Sequence, residues 1–227
     1  MSTLANTAPA RSLGINPPYP AQPVTVILPD PADLKPIYTE RLILRPLDMT
    51  SDIDAEGLYR IRSRQDVASW LRAKIPDKSL ADTKSWMKTK IFRTPDASGA
   101  VDSRHFYFTI RLYSDSEHIV GAMGINSLVP APSVGYALHP DVWGRGVASE
   151  ALGALVRAWY ELERVGLEGN VGEERLFAAT SRENMGSLGV LRKVGFEVWD
   201  GDGDARKGEE DGKRLVIMAI TEGDVEV

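Results

Sequence analysis

The 227-residue chain contains no cysteine. That excludes a disulfide framework, a thiolate nucleophile and any metal site built on cysteine. Histidine is nearly absent as well. His105, His118 and His139 are the only three, and they are dispersed, so a histidine metal site is not expected and no metal is predicted. No apolar run approaches the roughly 18–20 residues of a membrane span, and the N-terminus lacks the apolar core of a signal peptide. No membrane partner is expected, and a reducing, cytoplasmic compartment fits a cysteine-free chain. The net charge is −5 with no basic block, whereas nucleic-acid binders carry a clustered basic footprint; no nucleic-acid partner is expected. What is present, 43% hydrophobic and 26% charged residues, suits a globular protein with one sizeable core, or one domain plus appendages.

Proline is unevenly spread: eight of the fourteen lie in residues 1–36. Pro-rich chain favours extended, hydrogen-bond-poor backbone. The composition leaves two readings, a disordered tail or an arm carrying one short strand at Val24–Leu28. The expected division is a Pro-rich arm, 1–36, and a single domain, 37–227. Such an arm also makes a homodimer an option.

Within the domain, Arg41 to Arg45 reads as a strand closed by Pro46. Residues 52–64 read as a helix capped by Thr50 or Ser51, and Asp66–Leu71 as a second helical stretch. Ser79–Asp82 resembles a capping box before a helix reaching about Ile91, and 92–104 reads as loop. From His105 to Tyr113, Phe106, Phe108, Ile110 and Leu112 alternate with Tyr107, Thr109 and Arg111, the period of a strand. Ser114–Glu117 turns the chain into Ile119–Leu128, where Gly121 and Gly124 suggest a bulge. Val134–Leu138 is a short strand. Ala151, Leu152, Leu155, Val156, Trp159 and Leu162 mark one face of the longest helix. Gly166–Gly172 is a loop, Leu176–Thr180 a strand, and Asn184–Val194 a helix stopped by Gly195. Phe196–Trp199 and Leu215–Ile220 are the last strands, joined by a mobile 200–213 loop. The order β-α-α-β-β-β-α-β-α-β-β predicts one mixed α/β (α+β) domain, a twisted sheet with helices on its faces.

The chemistry concentrates between Val134 and Leu152. A strand ends, a turn with Gly144 and Gly146 follows, and an amphipathic helix begins. Glycine permits positive φ and close approach of a ligand to the backbone. The helix N-terminus adds unpaired N–H donors and about half a positive charge. Together they suit a phosphate, although a plain tight turn would use the same glycines. No Lys-Ser/Thr follows, so the turn is not a P-loop. Ser149 stands where a dinucleotide fingerprint needs its third glycine.

Trp143-Gly-Arg-Gly-Val-Ala-Ser-Glu-Ala151 resembles the acetyl-CoA signature of the GNAT acetyltransferase family, in its RimJ/RimL-like branch. Gly146 and Ala148 fill the last two places of the pattern Gln/Arg-x-x-Gly-x-Gly/Ala, and Trp143 stands for the leading residue. Thr39–Pro46 resembles the opening strand of that branch. Asn184 to Phe196 resembles its Asn-x-x-Ser…Lys-x-Gly-Phe helix. The resemblance covers about 37–221. It implies a GNAT fold: a central twisted mixed sheet of about six to seven strands, helices on both faces, and a splayed strand pair holding CoA. It also implies an acetyl-CoA-dependent N-acetyltransferase acting on a primary amine of a small molecule or peptide. The other reading on the same fold is a non-catalytic acyl-CoA-binding regulatory or scaffold protein.

By this resemblance Ala137 and Leu138 line the pantetheine. Trp143, Gly144, Arg145, Gly146, Val147, Ala148 and Ser149 form the pyrophosphate turn. Arg145 either adds charge to a phosphate or is merely solvated. Asn184 bonds the pantetheine, caps its helix, or does both. Ser187 is the candidate proton donor to the leaving thiolate. The base is unassigned, because Ser133 and Val134 precede Gly135-Tyr136 where the branch often carries Glu. Tyr136 and His105 are minor candidates, while Glu150 and His139 read as structural.

Overall fold

The computed structural model describes residues 19–165, 174–199, 209–210 and 213–225. Three helices precede the central strands: α1 (Asp52–Arg62), α2 (Gln65–Ala68) and α3 (Leu80–Lys88). Each long one starts where its cap dictates. Ser51 accepts from Asp54 N, and Ser79 and Asp82 form a reciprocal capping box. Two longer-range helices, α4 (Val147–Tyr160) and α5 (Met185–Lys193), follow the turn and the sixth strand. Gly195, at φ +99°, turns the chain out of α5.

The strands are β1 (Ile37–Tyr38), β2 (Leu42–Pro46), β3 (Tyr107–Leu112), β4 (Gly121–Ser127), β5 (Ser133–Leu138), β6 (Arg175–Ser181), β7 (Glu197–Val198), β8 (Glu209–Glu210) and β9 (Lys213–Thr221). They lie in the order β1-β2-β3-β4-β5-β6-β9-β7, with β8 on β9. Six have five residues or more; β1, β7 and β8 have two each, so short edge pieces account for the excess over the expected six to seven. Every adjacent pair is antiparallel except β5–β6.

The strand alternation builds two layers. Phe106, Phe108 and Ile110 face α4 and α5, where Ala151, Leu152, Leu155, Val156 and Trp159 are fully buried. Each large aliphatic side chain there contributes roughly 1.5–3 kcal/mol. Tyr107 and Ala122 face the other way, under Ala55, Leu58 and Ile61 of α1 and Met87 of α3. Thr109 and Arg111 are buried on that second face too, so the polar half of the alternation is covered rather than solvated.

Two expectations change. The bulge lies between Ile125 and Ser127, not at the glycines; a Cβ at Gly124 would sit 2.3 Å from Phe106 O, so Gly124 serves close strand approach. Val24–Leu28 forms no strand but an isolated bridge, Val26 to Arg164. It nonetheless docks, with Val26 and Leu28 at 2% and 1% exposure inside the main core. The expected loops at 166–172 and 200–213 lie outside the described residues, apart from 209–210 and 213. Among the described residues no helix is long and apolar enough to cross a membrane.

Candidate active site

The parallel pair β5–β6 is joined at one place only. Ser133 registers with Phe177, and Phe177 N donates to Pro132 O at 2.9 Å. β5 stays paired with β4 from Ser133 to Leu138, and β6 with β9 from Arg175 to Ser181. The two halves of the sheet therefore part beyond Ser133 and leave a wedge. Backbone direction alternates along a strand. His139 N donates to the carbonyl of Val120, the residue before β4, and Pro132 O faces β6. The backbone groups turned into the wedge are thus those of Tyr136 and Leu138, whereas Ala137 pairs with Ala122 of β4. The Leu138 carbonyl is already used, accepting from the Trp143 indole N–H at 2.9 Å. Trp143 thereby ties the turn to the strand end.

The wedge leads to the turn. A 3-10 turn over Pro140–Val142, capped by His139, carries the chain round. Gly144 and Gly146 follow in the left-handed region, at φ +71° and +78°. Side chains resist that conformation. No side chain caps α4 at Gly146. Gly144, Arg145 and Gly146 are exposed, while Val147 is buried and anchors the first turn. The N-terminal N–H groups of a 14-residue helix thus meet solvent without a competing acceptor from a cap.

Glu150 holds this turn in place. Its carboxylate accepts from Thr39 Oγ1 (2.5 Å), Arg41 N (3.0 Å) and Arg41 Nε (2.7 Å). Arg41 also donates to Arg145 O at 3.2 Å. Burial opposes ionisation of Glu150, but the bonds from Thr39 and Arg41 outweigh it and hold the carboxyl below its usual range. Beside it, a groove of about 760 Å³ runs along α4, with Ser149, Arg157 and Lys193 in its walls.

Asn184 caps α5, accepting from Ser187 N at 3.0 Å. The structure brings Ser187 against Tyr136, whose hydroxyl donates to Ser187 O at 3.4 Å. Burial pushes the Tyr136 phenol up to about 12, with the Ser187 contact pulling slightly the other way. Tyr136 is therefore protonated at neutral pH, with its hydroxyl hydrogen directed at the Ser187 carbonyl. His105 is buried, with its ring nitrogen on Tyr107 N (3.4 Å), and burial lowers its pKa. His139 accepts from Asp141 N, a capping role.

On the opposite face of β5, Ser133 meets Ser127 at 2.8 Å between hydroxyls. Tyr19 of the arm stacks on Phe177, 5.1 Å between centroids, beside Ser133. Asn126 lies so tightly on Gly135 that a Cβ there would be 2.1 Å from its Nδ2. The amide oxygen of Asn126 accepts from Lys90 Nζ at 2.8 Å. Lys90 gave no signal in the sequence, and the arm gave only its proline bias and one short apolar stretch, because their neighbours come from segments far apart along the chain. No group of residues that could hold a metal occurs among the described residues.

A mixed sheet split between its two parallel strands, with an open helix N-terminus beyond the split, is an arrangement that suits an extended ligand ending in phosphate. The comparisons agree. Residues 41–197 match the acetyltransferase (GNAT) domain. The chain belongs to the GNAT acetyltransferase family and is an acyltransferase. It is 25% identical over 167 residues to the uncharacterised N-acetyltransferase YoaA of Bacillus subtilis (strain 168), covering 71% of this chain and 82% of that one. Its fold is similar to a GNAT-family acetyltransferase of Bacillus anthracis (TM-score 0.59, 19% identity, 83% of this chain and 99% of that one). It is equally similar to RimL, a ribosomal L7/L12 alpha-N-protein acetyltransferase solved with coenzyme A (TM-score 0.59, 17% identity, 82% and 98%).

Proposed function

We propose that this protein transfers the acetyl group of acetyl-CoA to a primary amine, of a small molecule or a peptide, by direct attack of the amine on the thioester. It does so as a RimJ/RimL-like member of its family. The observation that carries the reading is the continuity of the uncapped α4 N-terminus with the β5–β6 wedge. The first offers N–H groups to a pyrophosphate, and the second offers backbone groups to an extended amide-containing chain.

The residues fit the group. The backbone from Gly144 to Ser149 receives the phosphates, with Arg145 free to swing toward them. Tyr136 and Leu138 N–H groups face the wedge, where an amide arm pairs as a strand would, and one of them is placed to stabilise negative charge on the carbonyl oxygen. Asn184 fixes the first turn of α5. The hydroxyls of Ser187 and Tyr136 stand together as proton donors for a leaving thiolate. Acetyl-CoA itself supplies the activated acyl group. Positioning supplies much of the rest of the rate.

The test is direct because the chain has no cysteine. A thiol reagent therefore reads released CoA against no protein background. Acetyl-CoA should bind by calorimetry, and a panel of amino acids, polyamines and N-terminal peptides should yield amine-dependent CoA release. Binding of acetyl-CoA with no release from any amine would sink the catalytic reading, and failure to bind would sink the site.

A further inference from the structure

Lys90 follows α3, and its half-buried side chain reaches back to the sheet. Its ammonium nitrogen lies 4.7 Å from the centre of the Trp86 ring and 5.0 Å from that of Tyr107, and it donates to Asn126 Oδ1 at 2.8 Å. Asn126 rests directly on Gly135. Gly135 lies two residues past Ser133, the last residue of β5 that registers with β6. The amine of Lys90 is therefore one side chain away from the strand that borders the wedge. It stands on the face opposite Tyr136 and Ser187.

We propose that Lys90 takes the proton from the acceptor amine. This rests on the acetyltransfer reading above and fills the role for which Ser133, in place of a carboxylate, is unsuited. In the step, the amine nitrogen bonds to the acetyl carbon and the C–S bond breaks. The proton lost from nitrogen passes to Lys90 Nζ, and the thiolate takes a proton from the Tyr136–Ser187 pair. Lys90 then returns its proton to solvent, and the Tyr136–Ser187 pair regains one from solvent, so that amine and thioester become amide and thiol with no net proton gained or lost by the protein.

The surroundings suit a neutral lysine. Arg62 faces it from α1 and Arg72 from the chain after α2, and the phenol of Tyr107 from β3 stays protonated through burial. Arg62 is held by Asp77 at 2.8 Å and stacks 4.0 Å over Trp86, so Asp77 is engaged with Arg62 and with Thr83. Burial first, then the two guanidinium groups, bring the Lys90 pKa down to about 7. The aromatic faces favour the cation only modestly. The Asn126 oxygen takes one N–H of either form and leaves a lone pair on the neutral amine. A base with a pKa near the working pH is the efficient one.

The test uses the full chain with Lys90→Met and Lys90→Arg. Trace acetylation with acetic anhydride, read by mass spectrometry from pH 5.5 to 10.5, should titrate Lys90 near 7; titration alongside the surface lysines would overturn the proposal. With the amine turned over best in the panel, both variants should lose about 10²–10⁴ in kcat while keeping acetyl-CoA affinity and a single cooperative melting transition. The rising limb of the wild-type pH profile near 7 should vanish. Activity within threefold of wild type, or rescue by arginine, would show that the site needs no base or only a cation, and would overturn it. Loss of acetyl-CoA binding in the wild type would instead defeat the acetyltransfer reading.

Discussion

Asp54, fully buried in the first turn of α1, bonds Arg45 of β2, reaches Arg111 of β3 at 3.5 Å and accepts from Asp48 N at 3.1 Å. Arg111 spends its second terminal nitrogen on Ser116 O and Glu117 O, so the same cluster closes the β3–β4 hairpin. A buried pair adds little net stability over an apolar one, but breaking it strands the buried charge of Arg111, whereas Arg45 keeps solvent contact. Asp54→Ala should cost about 3–5 kcal/mol in urea denaturation, far more than the 0–1 kcal/mol of an exposed ion pair. A loss under 1 kcal/mol would mean that water reaches Arg111. Lys90 makes the complementary case. Its pKa is lower in the folded chain than the ordinary lysine value, so between about 7 and 10.4 the unfolded chain holds the extra proton. Stability should therefore rise with pH across that window, and Lys90→Met should remove that part of the slope.

At the scale of elements, the turn into α4 makes the sharpest demand on residue type. Gly146 combines φ +78° with Arg41 at 3.4 Å from any added Cβ. Gly146→Val should raise the acetyl-CoA dissociation constant by tenfold or more, since a β-branched residue resists the left-handed conformation and the N–H groups then lose their aim. An unchanged affinity by calorimetry would place the phosphates elsewhere. This turn was legible in the sequence because its requirements are local: two glycines, a cap-free start and an apolar helix stripe. The capping box at Ser79 and the period-two run of β3 were legible for the same reason. The wedge was not. That Tyr136, rather than Ala137, turns its backbone into it depends on which neighbour β5 pairs with, a fact set by sheet register. Lys90 and Asp54 were invisible for a related reason, since each gains its meaning from residues tens of positions away.

At the scale of the molecule, the question is whether residues 19–36 form an appendage or part of the cooperative unit. Their bonds reach three separate regions. Ile27 N donates to Glu163 O and Val165 N to Thr25 O, both just past the end of α4. Gln22 exchanges two 2.9 Å bonds with the backbone of Arg175, at the head of β6. Leu28 N donates to Asp96 Oδ2 at 2.9 Å, and Asp96 also gathers Ser98 and Ala100 of the loop before β3. Burial opposes the charge on Asp96, yet these bonds together lower its pKa. The stability it contributes is present above the ordinary carboxylate range and is lost as pH falls through the lowered value. Leu28 is the apolar counterpart, 1% exposed in the main core. Leu28→Ala should cost about 2–5 kcal/mol, which for a domain of this size lowers the melting temperature by roughly 4–20 °C. The transition should remain single, with circular dichroism and tryptophan fluorescence coinciding. An unchanged melting temperature would make the arm an appendage after all. A shift of the whole transition would make it one of the walls that hold β6, Phe177 and the β5–β6 junction in register.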